Sequence, residues 1–122
     1  RAGNYIFGGY AEASWNSGGS FVKDENAFLF TLANSTGARP TKLAQTDGNG
    51  GIWCNTNWGP AFGTASGHCM CFMTSNGNCT CGINNSYVSF VVPEGQSFTN
   101  FFCGGSTSLS MSHLEIFGLK EY

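Results

Sequence analysis

Six cysteines carry most of the reactive chemistry in this 122-residue sequence. Four of them form two C-x-C pairs, Cys69-Met70-Cys71 and Cys79-Thr80-Cys81, on either side of a turn at Ser75-Asn76-Gly77. An antiparallel register setting Cys69 opposite Cys81 and Cys71 opposite Cys79 would bring each pair to ~4.5–5.5 Å at Cα, which suits a disulfide. An Asn-Gly turn prefers a slightly different register, so a bulge or another pairing stays open. Cys54 and Cys103 remain, free to bridge distant strands or to cross to a second subunit. Six cysteines allow about 15 connectivities, and spacing selects none of them. The competing chemistry is a zinc site built from these thiolates with His68, which immediately precedes Cys69. C-x-C is a less usual zinc spacing than C-x-x-C, and no C-x-x-C of the thioredoxin kind is present, so disulfides are expected.

Hydrolytic catalysis has little to work with. The only histidines are His68 and His113, and no G-x-S-x-G or comparable motif accompanies them. Seven acidic residues must supply any carboxylate pair, and Glu115 reads as structural. The expectation is a binding protein without catalytic residues.

A calcium-assisted sugar site is the better candidate. Calcium takes roughly 6–8 oxygen ligands, and a sugar's vicinal hydroxyls can complete such a shell. Asp24 and Glu25 in one loop, with Asp47 and Asn49 in another, offer the oxygens. The plain alternative is that Asp47-Gly48-Asn49 is an ordinary turn. Sugars also need a flat apolar platform with polar neighbours. Trp58 is that platform, with Asn55, Asn57 and His68 as hydrogen-bonding partners. A Trp anchoring its own loop is the competing reading, and Trp53, within a predicted strand, reads as core.

The elements that must position these residues read as short strands. Tyr5–Trp15 is a strand broken at Gly8-Gly9, and Ala27–Leu32 a buried one. Thr41–Gln45 and Gly51–Cys54 flank Thr46–Gly50 as a predicted hairpin. Cys69–Met73 and Cys79–Ile83 form a second hairpin. Tyr87–Val92, Phe101–Cys103 and His113–Leu119 complete the set. Strands at this spacing predict a mainly β chain with little helix, folded over 1–122 as one disulfide-stapled β-sandwich. Only 10% of residues are charged and the net charge is -2, which argues against nucleic acid. No apolar run is long enough to cross a membrane as a helix, so no insertion is expected. The cysteines, with sequons at Asn34, Asn78 and Asn84, predict a secreted protein; no signal peptide is evident, so the sequence reads as a mature form.

Several blocks then resemble a known family. Phe7-Gly8-Gly9-Tyr10, Ser14-Trp15 and Asp24-x-Asn26-Ala27-Phe28-Leu29-Phe30 resemble the opening half of the TLDc domain. Gly59-Pro60-x-Phe62-Gly63 with Gly67-His68 is similar to its glycine-rich loop, and His113-Leu114-Glu115-Ile116-Phe117 to its final strand. The resemblance covers nearly the whole chain and implies a β-sandwich without an established catalytic constellation. Intracellular TLDc proteins are linked to oxidative-stress resistance and the vacuolar proton pump. They lack this cysteine density, and Cys69 stands where many carry an acidic residue, which points away from those roles. A second likeness is to small secreted galactose-binding lectins of sea anemones, and galactose as ligand is implied by that likeness. The expected function is therefore a secreted, calcium-dependent lectin for glycans with terminal galactose, acting as a homodimer to gain avidity. The alternative is a non-catalytic protein-interaction module of the TLDc type.

Overall fold

The computed structural model describes residues 4–16, 18–34, 36–45, 47–72, 74, 76–81 and 90–118, the side chains of His68 and Cys103 excepted. Two antiparallel sheets face each other. The first has three strands in the order β1 (Ile6–Tyr10), β3 (Phe28–Ala33), β4 (Thr41–Leu43). The second has six: β2 (Phe21–Lys23), β5 (Gly50–Trp53), β6 (Ala61–Thr64), β7 (Gly67–Cys71), β8 (Asn78–Cys81) and β9 (Ser108–Ser110). The mainly β sandwich expected from the sequence is what forms.

The sheets meet on rows of apolar side chains set by the period of two. Across the larger sheet the ladder aligns Val22, Ile52, Phe62, Met70 and Cys81 in one row. Phe62 is the hub, with its ring 5.5 Å from Trp15, 5.7 Å from Phe72 and 6.3 Å from Phe90, all edge-on. From the smaller sheet Phe7, Leu29 and Leu43 are buried against it. Gly9 sets how closely the layers approach: a Cβ there would lie 2.5 Å from the Phe62 Cζ.

Several sequence expectations change. Phe101–Cys103 belongs to a helix, α1 (Phe98–Cys103), rather than a strand. Ser97 caps it by accepting from the Asn100 N–H at 3.1 Å, and Gly104 ends it in the left-handed region at φ 64°. Phe98, Phe101 and Phe102 recur at helical spacing and all are buried, so a short helical signal was present. The Phe102 ring also lies 5.1 Å from that of Phe7, tilted against it, closing one end of the core.

The stretch between β4 and β5 is not a hairpin. β4 pairs with β3, whereas β5 pairs with β2 and β6, so the chain crosses between sheets there. Gln45 pins the crossing: its amide nitrogen donates to the Asp24 and Ala27 carbonyls at 2.7 and 3.0 Å, and its oxygen accepts from the Gly50 N–H at 2.8 Å. Of the predicted Tyr87–Val92 strand, 87–89 lie outside the described residues. Phe90 bridges Gln45 and the Val91 N–H bonds the Ala44 carbonyl, which extends β4. His113–Gly118 forms no ladder strand, and Leu119 lies outside the described residues.

The disulfide expectation is corrected most sharply. The β7–β8 ladder pairs Met70 with Cys81 and Cys71 with Thr80, one residue away from the bridging register. A one-residue offset sends Cys71 to the face opposite Cys81, where no bond can span the sheet. The Cys79 sulfur instead lies 3.5 Å from the Met70 sulfur in the core. Cys54, Cys69, Cys71 and Cys79 carry buried thiols, whereas Cys81 is disulfide-bonded. The chain is therefore not stapled across the β7–β8 hairpin.

Candidate functional site

β5 separates the residues expected to share a sugar and calcium site. At its Gly50 end lie the loop of Asp24, Glu25 and Asn26, which follows β2, and the turn of Asp47, Gly48 and Asn49. The two loops touch, because a Cβ on Gly48 would sit 3.8 Å from the Glu25 Cβ. The backbone of His68 pairs with Gly63 near this same end. Asn55, Asn57 and Trp58 follow the other end of the strand, about 10 Å away at strand rise. The cation loops and the aromatic platform are thus not brought together.

Within the cation loops the two aspartates already have partners. Asp24 is buried, and its carboxylate accepts from the Glu12, Ala13 and Asn26 N–H groups at 2.7, 2.9 and 3.0 Å. It fastens the segment after β1 to the start of β3. Asn26 donates to the Glu12 carboxylate. Asp47 accepts from the Asn49 N–H at 3.0 Å, and this bond holds its carboxyl below the usual range. Such turns are what Asp, Gly and Asn make for local reasons. Glu25 is exposed. Asn55 likewise closes a turn by accepting from the Asn57 N–H at 2.8 Å, beside a half-buried Trp58.

The thiols are placed for packing rather than reaction. Burial pushes Cys69 and Cys79 up to about 12, so neither is a thiolate near neutrality. Among the described residues no group of three or more His, Cys, Asp or Glu side chains is arranged to hold a metal ion. His113 pairs with Glu115 at 3.0 Å, both side chains exposed.

A further feature is one that motif reading missed. Along β1 runs a groove of ≈ 1130 Å³. Its floor is the outer face of the smaller sheet, where Gly8 pairs with Phe30 and Tyr10 with Phe28. Tyr10 and Phe28 stack at 5.1 Å, and the Lys42 ammonium sits 4.1 Å from the Phe28 ring centre. Leu32 is 51% exposed beside them. Trp15, Pro60 and Phe72 line its other side, and Met111–Gly118 forms a wall on which Phe117 is 84% exposed. The signal for it lay in Phe28-Leu29-Phe30-Thr31-Leu32. Every position but Thr31 is apolar, so a strand that buries one row in the core must leave a second apolar row outside. Among the described residues β1 is also an edge strand, with β3 as its ladder neighbour.

No helix among the described residues is long and apolar enough to cross a membrane. The family model for the TLDc domain matches residues 1–120. No curated protein and no solved structure matches the chain.

Proposed function

The chain belongs to the TLDc domain family, and we propose that it is a non-catalytic protein-interaction module of that family which holds an extended apolar segment of a partner protein along β1. The groove carries this reading. An edge strand offers backbone donors and acceptors on its open side, and an apolar floor beside it offers pockets for alternate side chains. Tyr10, Phe28, Phe30 and Leu32 supply such a floor, the Lys42 ammonium sits over the Phe28 ring, and Glu12 and Glu115 are the charged residues of the lining. Asn55, Asn57 and Trp58 lie a strand's length from the cation loops. Galactose rests on the sequence likeness, the calcium ion on the residue types of the loops holding Asp24, Glu25, Asp47 and Asn49, and the homodimer on the avidity argument. For the compartment we propose an oxidising, extracellular one, supported by the disulfide at Cys81 and the low charge.

A displayed library of random extended peptides, panned on the intact chain, tests the reading. Enriched peptides should alternate apolar residues, and their binding should fall at least tenfold in Leu32→Asp while Trp58→Ala leaves it unchanged. An absence of enrichment, or binding indifferent to Leu32→Asp, overturns it. Retention of galactosides on a glycan array, lost on adding a chelator or in Trp58→Ala, would decide for the lectin instead.

A further inference from the structure

We propose that Asn34 is an N-glycan acceptor and that Asn78, though it heads the same kind of tripeptide, is not. Asn34-Ser35-Thr36 and Asn78-Cys79-Thr80 both satisfy the Asn-x-Ser/Thr rule, so sequence alone does not separate them. Their settings do. Asn34 follows β3 in a turn, where its side-chain oxygen accepts from the Thr36 N–H at 3.0 Å and from the Thr36 hydroxyl at 2.6 Å. The amide and the hydroxyl that a glycosyl transferase must read are therefore held together on one loop. Thr36 is exposed, and a Cβ on Gly37, at φ 71°, would meet nothing within 4 Å, so the loop just beyond the acceptor is open.

The hydrogen count also permits modification. The Asn34 amide nitrogen has two hydrogens, and it donates one bond to the hydroxyl of the fully buried Thr31 at 2.7 Å. Glycosylation replaces one hydrogen and leaves the other for Thr31. In the transfer the C1–O bond of a lipid-pyrophosphate-linked oligosaccharide breaks and a bond forms from C1 to Asn34 Nδ2. The lipid pyrophosphate leaves with the bonding pair, and the amide gives up one proton to the transferase's base.

Asn78 sits in β8, paired on one side by β7 and on the other by β9. Its carbonyl accepts from the Thr74 N–H at 2.8 Å. The Thr80 hydroxyl is buried without a partner, away from the Asn78 amide, and Cys79 between them is in the core. An extended, doubly paired strand keeps the two recognition groups apart and leaves no loop to present them.

The inference rests on the proposed extracellular compartment, and a fused secretion signal separates the two questions. The chain is expressed behind that signal in a glycosylating eukaryotic cell, and the secreted protein is mapped by peptide mass spectrometry with and without an N-glycosidase. Most molecules should carry one enzyme-removable glycan at position 34. Thr36→Ser should retain it and Thr36→Ala should lose it, while Asn78→Gln should leave the map unchanged. Secreted protein unmodified at Asn34, or a glycan found on Asn78, overturns the assignment.

Discussion

Replacing Gly9 with alanine gives a sharp test of how the two sheets touch. At an ordinary strand conformation a Gly→Ala change stabilises a protein by about 0.4–1 kcal/mol, because the unfolded chain loses freedom. Gly9 has no left-handed backbone to forbid the change. Its new Cβ, however, would lie 2.5 and 2.6 Å from Phe62 Cζ and Cε2 and 3.0 Å from Leu29 Cδ2. Phe62 is fully buried among three other rings and has nowhere to swing. Overpacking of this kind costs about 1–3 kcal/mol, so the sign reverses to a net loss of about 1–2 kcal/mol. At about 4 °C per kcal/mol the melting temperature should fall by roughly 4–8 °C. Gly8 is the internal control. Its added Cβ also meets a ring, that of Phe30 at 2.5 Å, but Phe30 is half-buried on the groove face and can rotate outward. Gly8→Ala should therefore stay within about 1 kcal/mol of the parent, within the range of a mild strand substitution. Circular-dichroism melts and urea titrations of both variants read the difference, and Phe62→Leu should relieve part of the Gly9→Ala loss. A Gly9→Ala protein at least as stable as the parent, or no less stable than Gly8→Ala, would refute this account of the interface.

Two further outcomes follow from buried groups. Asp24→Asn keeps one acceptor where the carboxylate served three backbone N–H groups, and at about 1–3 kcal/mol per unsatisfied buried donor it should cost about 2–4 kcal/mol; a melting temperature within 2–3 °C of the parent would contradict this, by the usual ~4 °C per kcal/mol. The Cys69 and Cys79 thiols, raised from 9.0 to about 12, bind protons in the folded state at a pH where the unfolded chain has released them. Their contribution is thus complete below about pH 9 and lost as pH climbs towards 12, with a slope of about 1.4 kcal/mol per pH unit for each thiol. Urea midpoints at pH 8 and pH 10 measure it, and Cys69→Ala should flatten the decline; an unchanged slope in that variant counts against it.

How much of this was legible in the sequence depended on whether the deciding physics was local. Apolar runs such as Ala27–Leu32, most of which forms β3, announced themselves, as did the turn at Asp47-Gly48-Asn49. What that turn connects was not local: Gln45 ties it to the Asp24 and Ala27 carbonyls, about twenty residues earlier in sequence. The helix at Phe98–Cys103 was concealed by its length, since six residues show barely two turns of period. The cysteine pairing failed on a single residue of register, which the turn between β7 and β8 decides and which composition cannot reveal. For the site, residue types led towards Trp58 and the acidic loops because those carry recognisable chemistry. The groove is lined mostly by ordinary apolar residues, marked out only by lying on a sheet face that no second layer covers among the described residues.

The separation of the two sheets along the chain has a consequence in time as well as in space. The whole three-stranded sheet is encoded before residue 44, whereas β5 to β9, which cover its inner face, are encoded from residue 50 onwards. During synthesis Phe7, Leu29 and Leu43 emerge first and must wait in water for Ile52, Phe62 and Met70. β2 waits too, since its partner β5 is made some thirty residues later. The nascent amino-terminal third thus presents an apolar sheet with nothing to close it, the condition under which chains associate with one another or recruit a chaperone.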